Sequence, residues 1–341
     1  MGAGRTLVAI RFGRKAVKAR PARWPRPSGA GCLPAGNPAN RPATRLACTL
    51  AVLAACCLLS QGVSAQGSGD ATALRQIYQN LVPELDHNAF QRQLYLYSEE
   101  SPSTVKGEIY AVMDYPFTTV RYALNESSQG PMNWCDMLML HPNIKYCLAS
   151  DGSSGSTLTV NISKEEAPEK LSSTSRVQFN YGAAITGPEY FQVRLNADSG
   201  PLNTRDYRIV MEATALGGHR TFLHLTYAYG YGVVGRLALK GYLATFGRGR
   251  IGFTNLADPS AAQPKYIEGV RGLAERNTMR YYLAIDAYLG ALSSPLDRRL
   301  EQRLSNWFSA SEQYPRQLHE IGRQQYMQMK RDEYLRLQTK P

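Results

Sequence analysis

The sequence predicts an α+β fold in which a succession of antiparallel strands is followed by one long helix. Three observations carry that expectation. Between residues 143 and 231 apolar side chains recur at every second position, as in Phe191, Val193, Leu195, Ala197 and in Tyr207, Ile209, Met211, Ala213. This is the pattern of strands with one buried face. Turn-forming runs, Asp151-Gly152-Ser153-Ser154-Gly155 and Gly217-Gly218, separate such stretches, because these residues accept the backbone angles of a reversal. The period then changes to that of a helix over residues 266–292, where Val270, Leu273, Met279, Tyr282 and Leu283 mark an apolar side.

Each element follows from local pattern. Residues 71–85 place Leu74, Ile77, Tyr78 and Leu81 three and four apart, on one helix face. A short β-prone stretch lies at 95–97. Residues 106–114 alternate Gly107, Ile109, Ala111 and Met113 against Lys106, Glu108, Tyr110 and Val112, and read as a strand. Pro116 opens a short helix over 117–124, since proline is pre-set for a first helical turn, and a second covers about 133–140. Six strands follow at 143–149, 157–163, 176–183, 190–197, 206–216 and 220–231. The last two form a hairpin closed at Gly217-Gly218, with 209–216 against 220–228. A short helix at 233–245 and a further strand at 250–254 precede the long helix. Pro295 then restarts a helix to about 308, and Pro315 another to about 337.

The formal net charge of +12 suggests a nucleic-acid or membrane partner until its distribution is read. Residues 1–65 hold ten Lys and Arg and no Asp or Glu; taking ten from 39 leaves 29 basic against 27 acidic residues. Nucleic acid is thereby excluded as the expected partner. Those first residues end in LACTLAVLAACCLLSQGVSA, an apolar run behind a basic lead with small residues at its close, which is the form of an export signal. Val63 and Ala65 fit the cleavage positions, so the mature chain would begin at Gln66. Two other outcomes are a lipid anchor at Cys56, in Leu53-Ala54-Ala55-Cys56, and a retained membrane anchor. An exported chain would be periplasmic in a bacterium. No second run of about 18 apolar residues occurs, so no membrane span is expected in the mature chain.

Of six cysteines, Cys32, Cys48, Cys56 and Cys57 precede the cleavage point; Cys135 and Cys147 remain. A pair in an oxidising compartment points to a disulfide, with two buried free thiols as the alternative. Their spacing is too wide for a redox motif, and His141 alone would leave a metal site incomplete.

The segment 107–147, with the strand GEIYAVMD, then YPF opening a helix, then Asn133-Trp134-Cys135-Asp136 before NIKYC, resembles the START-like (helix-grip, SRPBCC) superfamily. The resemblance covers about residues 105–292. It implies a curved antiparallel sheet of about seven strands gripping the long helix, with two short helices after the first strand. Residues 71–104 would form an N-terminal helix and short strand, and 293–341 a helical appendage. By the same resemblance, an elongated cavity between sheet and helix would bind a lipid or other hydrophobic molecule. Trp134, Tyr181, Met211, Phe222, Tyr227, Met279 and Tyr282 are its candidate lining residues. A non-enzymatic envelope interaction or structural protein with a filled core is the alternative. The C-terminal helices would then serve a protein partner or self-association.

No catalytic or metal motif is found. His87, His141, His219 and His224 fall in no HExxH or HxH pattern, so neither catalytic residues, a metal nor a cofactor is expected. His224 lies in a strand, where a hydrogen-bonded structural role is the plainer reading. Gly230 to Gly235 spells a bare GxGxxG without the strand-helix-strand context that gives it meaning. Tyr227, Tyr229 and Tyr231 share a strand face, and Tyr281, Tyr282 and Tyr288 lie on the long helix. Packing explains them, or a cavity wall that orients a ligand through hydroxyls. Arg194, Glu212 and Glu275 are internal or surface groups on equal grounds, and Lys145 with Asp136 reads as a solvated pair.

Overall fold

A computed structural model describes residues 62–339 apart from 127–128, 154, 168–169 and 259–260. The basic lead and the apolar run through residue 61, with Cys32, Cys48, Cys56 and Cys57, lie outside the described residues. The first helix, α1 (Gly62–Asp86), includes the predicted cleavage point Ala65-Gln66. Eight strands follow: β1 (Leu94–Glu100), β2 (Thr104–Met113), β3 (Ile144–Gly152), β4 (Gly155–Ile162), β5 (Ser175–Thr186), β6 (Tyr190–Gly200), β7 (Thr204–Leu216) and β8 (Arg220–Tyr231). They form one open antiparallel sheet in the order β1-β2-β8-β7-β6-β5-β4-β3. The expected seven become eight because the β-prone stretch at 95–97 extends into a full strand, paired with β2 from Leu94↔Ala111 to Glu100↔Val105. The predicted hairpin is present, with Leu216 opposite Arg220 and Ile209 opposite Tyr227.

Between β2 and β3 lie α2 (Phe117–Arg121), which runs into a π-helical turn at Tyr122–Glu126, and α3 (Gly130–Leu138). After β8 come α4 (Val233–Ala244), the long α5 (Gly269–Gly290), α6 (Arg299–Ser311), α7 (Pro315–Leu318) and α8 (Arg323–Thr339). Residues 250–254, expected as a strand, are irregular, with only an isolated bridge nearby between Asn255 and Tyr266. The reason is the buried Glu275 of α5, whose Oε2 accepts from the backbone N–H groups of Phe253 (2.6 Å) and Thr254 (2.8 Å). Donors held by a carboxylate are not available to a ladder. The single helix expected from Pro315 to about 337 breaks between α7 and α8, and the break is where Glu320 turns inward.

Helix α5 lies against the inner face of the sheet. Its closest seat is Gly107 on β2, where an added Cβ would collide with Thr278 and stand 3.3 Å from the Ala274 carbonyl oxygen. Glycine is therefore required for the grip. The inner face contributes Val193, Leu195, Ile209, Met211 and Leu225 to a core completed by Met279 and Leu283 of α5. The outer face is covered by α1, whose Ala71, Leu74 and Leu85 pack on Val112, Tyr190 and Phe222. Cys135 of α3 and Cys147 of β3 form a disulfide, their Cα atoms 5.3 Å apart.

Lys145 and Asp136 are not a solvated pair. Asp136 binds Arg303 at 2.6 Å, while Lys145 is wholly buried and donates to the carbonyl oxygens of Pro142 (2.7 Å) and Glu166 (3.0 Å). The C-terminal helices provide much of this burial. Lys330 of α8 donates to His141 O and Ile144 O, each at 2.8 Å, and to Glu333 at 2.7 Å. Burial pulls Lys330 down to about 8 despite the Glu333 carboxylate. Among the described residues no helix is long and apolar enough to cross a membrane.

Candidate functional site

The inner face of the sheet and α5 do not meet everywhere. Toward the ends of β7 and β8 a cleft remains, with a cavity volume of about 100 Å³. Alternation along β8 aims Tyr227 and Tyr229 into it, and Tyr207 joins them from β7. Helix α5 contributes Leu273, Asn277 and Tyr281, spaced by four residues along one helical face. The outer wall is Leu239 and Tyr242 of α4 with Leu202 of the turn before β7. Helix α4 approaches that turn closely because residue 235 is glycine: a Cβ there would stand 2.6 Å from the Asn203 carbonyl oxygen. This is the structural use of the last glycine of the GxGxxG run, which lets a helix pack on the turn.

The polar groups of the wall form a relay. His141 Nδ1 accepts from the Asn143 N–H (3.1 Å), which leaves Nε2 to donate to Asn277 Oδ1 (3.3 Å). Asn277 also bonds Tyr227, Tyr227 bonds Tyr207, and the Tyr207 hydroxyl meets Thr204 Oγ1 at 2.7 Å. Burial and the Arg280 charge hold His141 well below its ordinary 6.5, so it is neutral. Tyr229 stands outside the relay. The Tyr229 hydroxyl is buried without a hydrogen-bond partner among the described residues, although its ring stacks on Tyr207 at 5.2 Å. Burial raises its pKa well above 10.0, so it stays neutral.

Beside the cleft lies a buried ionic cluster. Glu320 pairs with Arg276 and, at 2.5 Å, with Arg280; Arg250 bridges Glu320 (3.3 Å) and Glu166 (2.9 Å). Burial opposes the Glu320 charge, but Arg280 and Arg276 outweigh it and hold the carboxyl far below its usual range. Burial and the neighbouring Glu320 raise Glu166. The cluster anchors the loop after α4 and the α7–α8 break to α5.

His224 faces away from the cleft, on the outer side of the sheet. Its Nδ1 meets Glu212 at 2.9 Å and its Nε2 meets Glu108 at 3.2 Å, and its ring stacks on Tyr110 at 4.2 Å. Tyr190 and Gln192 complete the shell of Glu212. Burial works against charge on His224, yet the two carboxylates raise it above 6.5; Glu212 is held down to about 2, because the His224 and Tyr190 hydrogen bonds outweigh its burial. A raised histidine contributes fully below 6.5 and loses that contribution as pH rises through its folded value. Lowered carboxylates contribute above 4.5 and lose it as pH falls toward 2. The network is therefore strongest between about pH 4.5 and 6.5. Replacing His224→Gln is expected to cost on the order of 2 kcal/mol there and to flatten the decline above pH 6.5, measured by denaturation across pH. An unchanged profile would contradict this role.

Of the seven predicted lining residues, Tyr227 alone lines the cleft. Trp134 and Tyr181 converge elsewhere, the Trp134 indole N–H and the Tyr181 hydroxyl both donating to the Leu124 carbonyl oxygen (3.2 and 3.4 Å). They join α3, the π-helical turn and β5. Met211 and Met279 are fully buried core residues, and Tyr282 is buried beside Arg92. Phe222 lies on the opposite face, its ring 5.2 Å from Tyr78 of α1. Of the undecided polar residues, Arg194 is exposed, Glu212 belongs to the His224 network, and Glu275 is buried with Ser98 and Thr254. Tyr229 and Tyr281 were legible as a possible tyrosine wall. Asn277, Leu239 and Leu202 carried no signal, because the cleft forms only where α4 and the turn before β7 close over the sheet. No group of His, Cys, Asp and Glu among the described residues is placed to hold a metal ion.

No family model matches this chain, and no curated protein does. Solved structures similar to it include a START superfamily protein from Mycobacterium smegmatis, 14% identical, over 42% of this chain and 92% of that one, TM-score 0.27. Ara h 8.0201 is 12% identical over 58% and 99%, TM-score 0.31. Norcoclaurine synthase from Thalictrum flavum, crystallised with dopamine and hydroxybenzaldehyde, is 10% identical over 45% and 82%, TM-score 0.29. The fold assignment rests instead on strand order and on the seat of α5. An open antiparallel sheet of eight strands packed on one long helix is a helix-grip arrangement.

Proposed function

We propose that this chain is an exported, non-enzymatic binding protein for a lipid or other hydrophobic molecule, held in the cleft between α5 and the ends of β7 and β8. The observation that carries the reading is the Tyr229 hydroxyl, a buried donor without a hydrogen-bond partner among the described residues, on a residue that lines the cleft. A ligand acceptor placed there would remove the cost of that orphan group, while the surrounding aromatic surface takes an apolar body. His141 is neutral, with both ring nitrogens engaged, which supports binding rather than proton transfer. The apolar run at 46–65 and the Cys135–Cys147 disulfide support an oxidising, exported setting.

The cavity of about 100 Å³ is smaller than the ~300–1,000 Å³ of typical ligand pockets, so binding requires α4 and the turn before β7 to yield. That same smallness favours a second reading, an envelope interaction protein with a filled core. Two measurements separate them: mass spectrometry of molecules co-purifying with the full chain, and titration with 1-anilinonaphthalene-8-sulfonate as an apolar anionic probe. Saturable probe binding is expected, and Tyr229→Phe should weaken it about two- to tenfold without lowering the melting temperature. Absence of both probe binding and co-purifying apolar material would establish the filled-core reading.

A further inference from the structure

Helix α4 is apolar on two sides. Leu239 and Tyr242 close the cleft, while Val233, Val234 and Leu237 point the other way and are 87%, 64% and 71% exposed. Those three stand three and four residues apart, so they form one stripe. Lys240 and Ala244 continue it, and Phe246, 47% exposed, follows the helix end. Contiguous exposed aliphatic surface marks an interaction site. Charge indicates what covers it. Residues 232–257 contain Arg236, Lys240, Arg248 and Arg250 and no Asp or Glu. Arg250 is committed to Glu166 and Glu320, whereas Arg236, Lys240 and Arg248 are exposed beside the aliphatic stripe. In a mature chain near neutral overall, this segment carries a local excess of cations.

We infer that the outer face of α4 docks on an anionic lipid surface, with Val233, Val234 and Leu237 entering the interface and Lys240 and Arg248 facing the headgroups. Interfacial helices combine these two features: buried apolar area supplies attachment, and each basic side chain near an anionic surface adds to it. A protein partner of this patch would have to bring its own acidic surface. The geometry also places the docked helix over the cleft, since Leu239 and Tyr242 form the cleft wall on the opposite face of the same helix. Docking does not depend on the ligand-binding proposal and is read separately from it.

The test is flotation of the full chain with phosphatidylcholine vesicles, with and without phosphatidylglycerol. Val234→Asp/Leu237→Asp should reduce partition into the anionic vesicles at least about tenfold. Lys240→Glu/Arg248→Glu should abolish the preference for anionic over neutral vesicles. All four positions are exposed, and the melting temperature of each variant reports whether the fold is intact. Equal flotation of the wild type and the aspartate variant overturns the proposal, because the apolar run at 46–65 is present in both. It is likewise overturned if vesicles are not bound and the wild type is a dimer that the aspartate variant converts to monomer, which would make a second copy of the chain the occupant.

Discussion

Glu320→Gln is expected to lower the unfolding free energy by about 3–5 kcal/mol. Glu320 is the shared partner of Arg276, Arg280 and Arg250, and the first two are almost wholly buried. A neutral amide leaves those guanidinium groups desolvated beside one another, with only Glu166 remaining and its carboxyl raised toward the neutral form. Adding Arg280→Met should recover part of the loss by removing one uncompensated cation. The contribution has a pH signature. Glu320 is held below 4.5 in the fold, so its stabilisation is complete above about pH 4.5 and is lost as pH falls toward the folded value. Urea denaturation at neutral and acid pH measures both effects; a loss under about 1 kcal/mol at neutral pH would show that the cluster is not a structural tie.

Removing the cross-link has the second-largest expected effect. Cys135→Ala/Cys147→Ala should cost about 3 kcal/mol in the chain-entropy account of a short closed loop, or about 6–12 °C in melting temperature for a domain of this size. The bridge ties α3 to β3, an edge strand with one neighbour in the sheet. Loss of the constraint should therefore fray that edge first, visible as earlier amide exchange in β3 than in β8. Reductant should bring the wild type close to the double variant. Equal melting temperatures with and without reductant would contradict a stabilising role for the bridge.

The strands were legible because each buries one face, so period two is written into Phe191 to Ala197 and Tyr207 to Ala213 without reference to the rest of the chain. The hairpin at Gly217-Gly218 was legible for an equally local reason, a turn that few residues accept. Residues 250–254 misled because a short apolar run cannot reveal that Glu275, over twenty residues away, takes its backbone donors. The helix after Pro315 misled in the same way. Nothing local marks the interruption that lets Glu320 reach α5. The site suffered most, since a residue's strand face is readable but the place where sheet and helix part is not. Phe222 and Tyr227 both looked like cavity residues, and only the register shows that they lie on opposite faces.

By itself the sequence determined the α+β class, the long gripped helix, the cysteine pair and the near neutrality of the chain after residue 65, all properties of composition, period and spacing. Tertiary structure alone decided where sheet and helix part, that Lys145 and Glu275 are buried, and that His224 faces outward. It also decided that the Tyr229 hydroxyl has no hydrogen-bond partner among the described residues. These depend on which distant side chains meet, and burial and pairing energies are set by that meeting rather than by any neighbour in the chain.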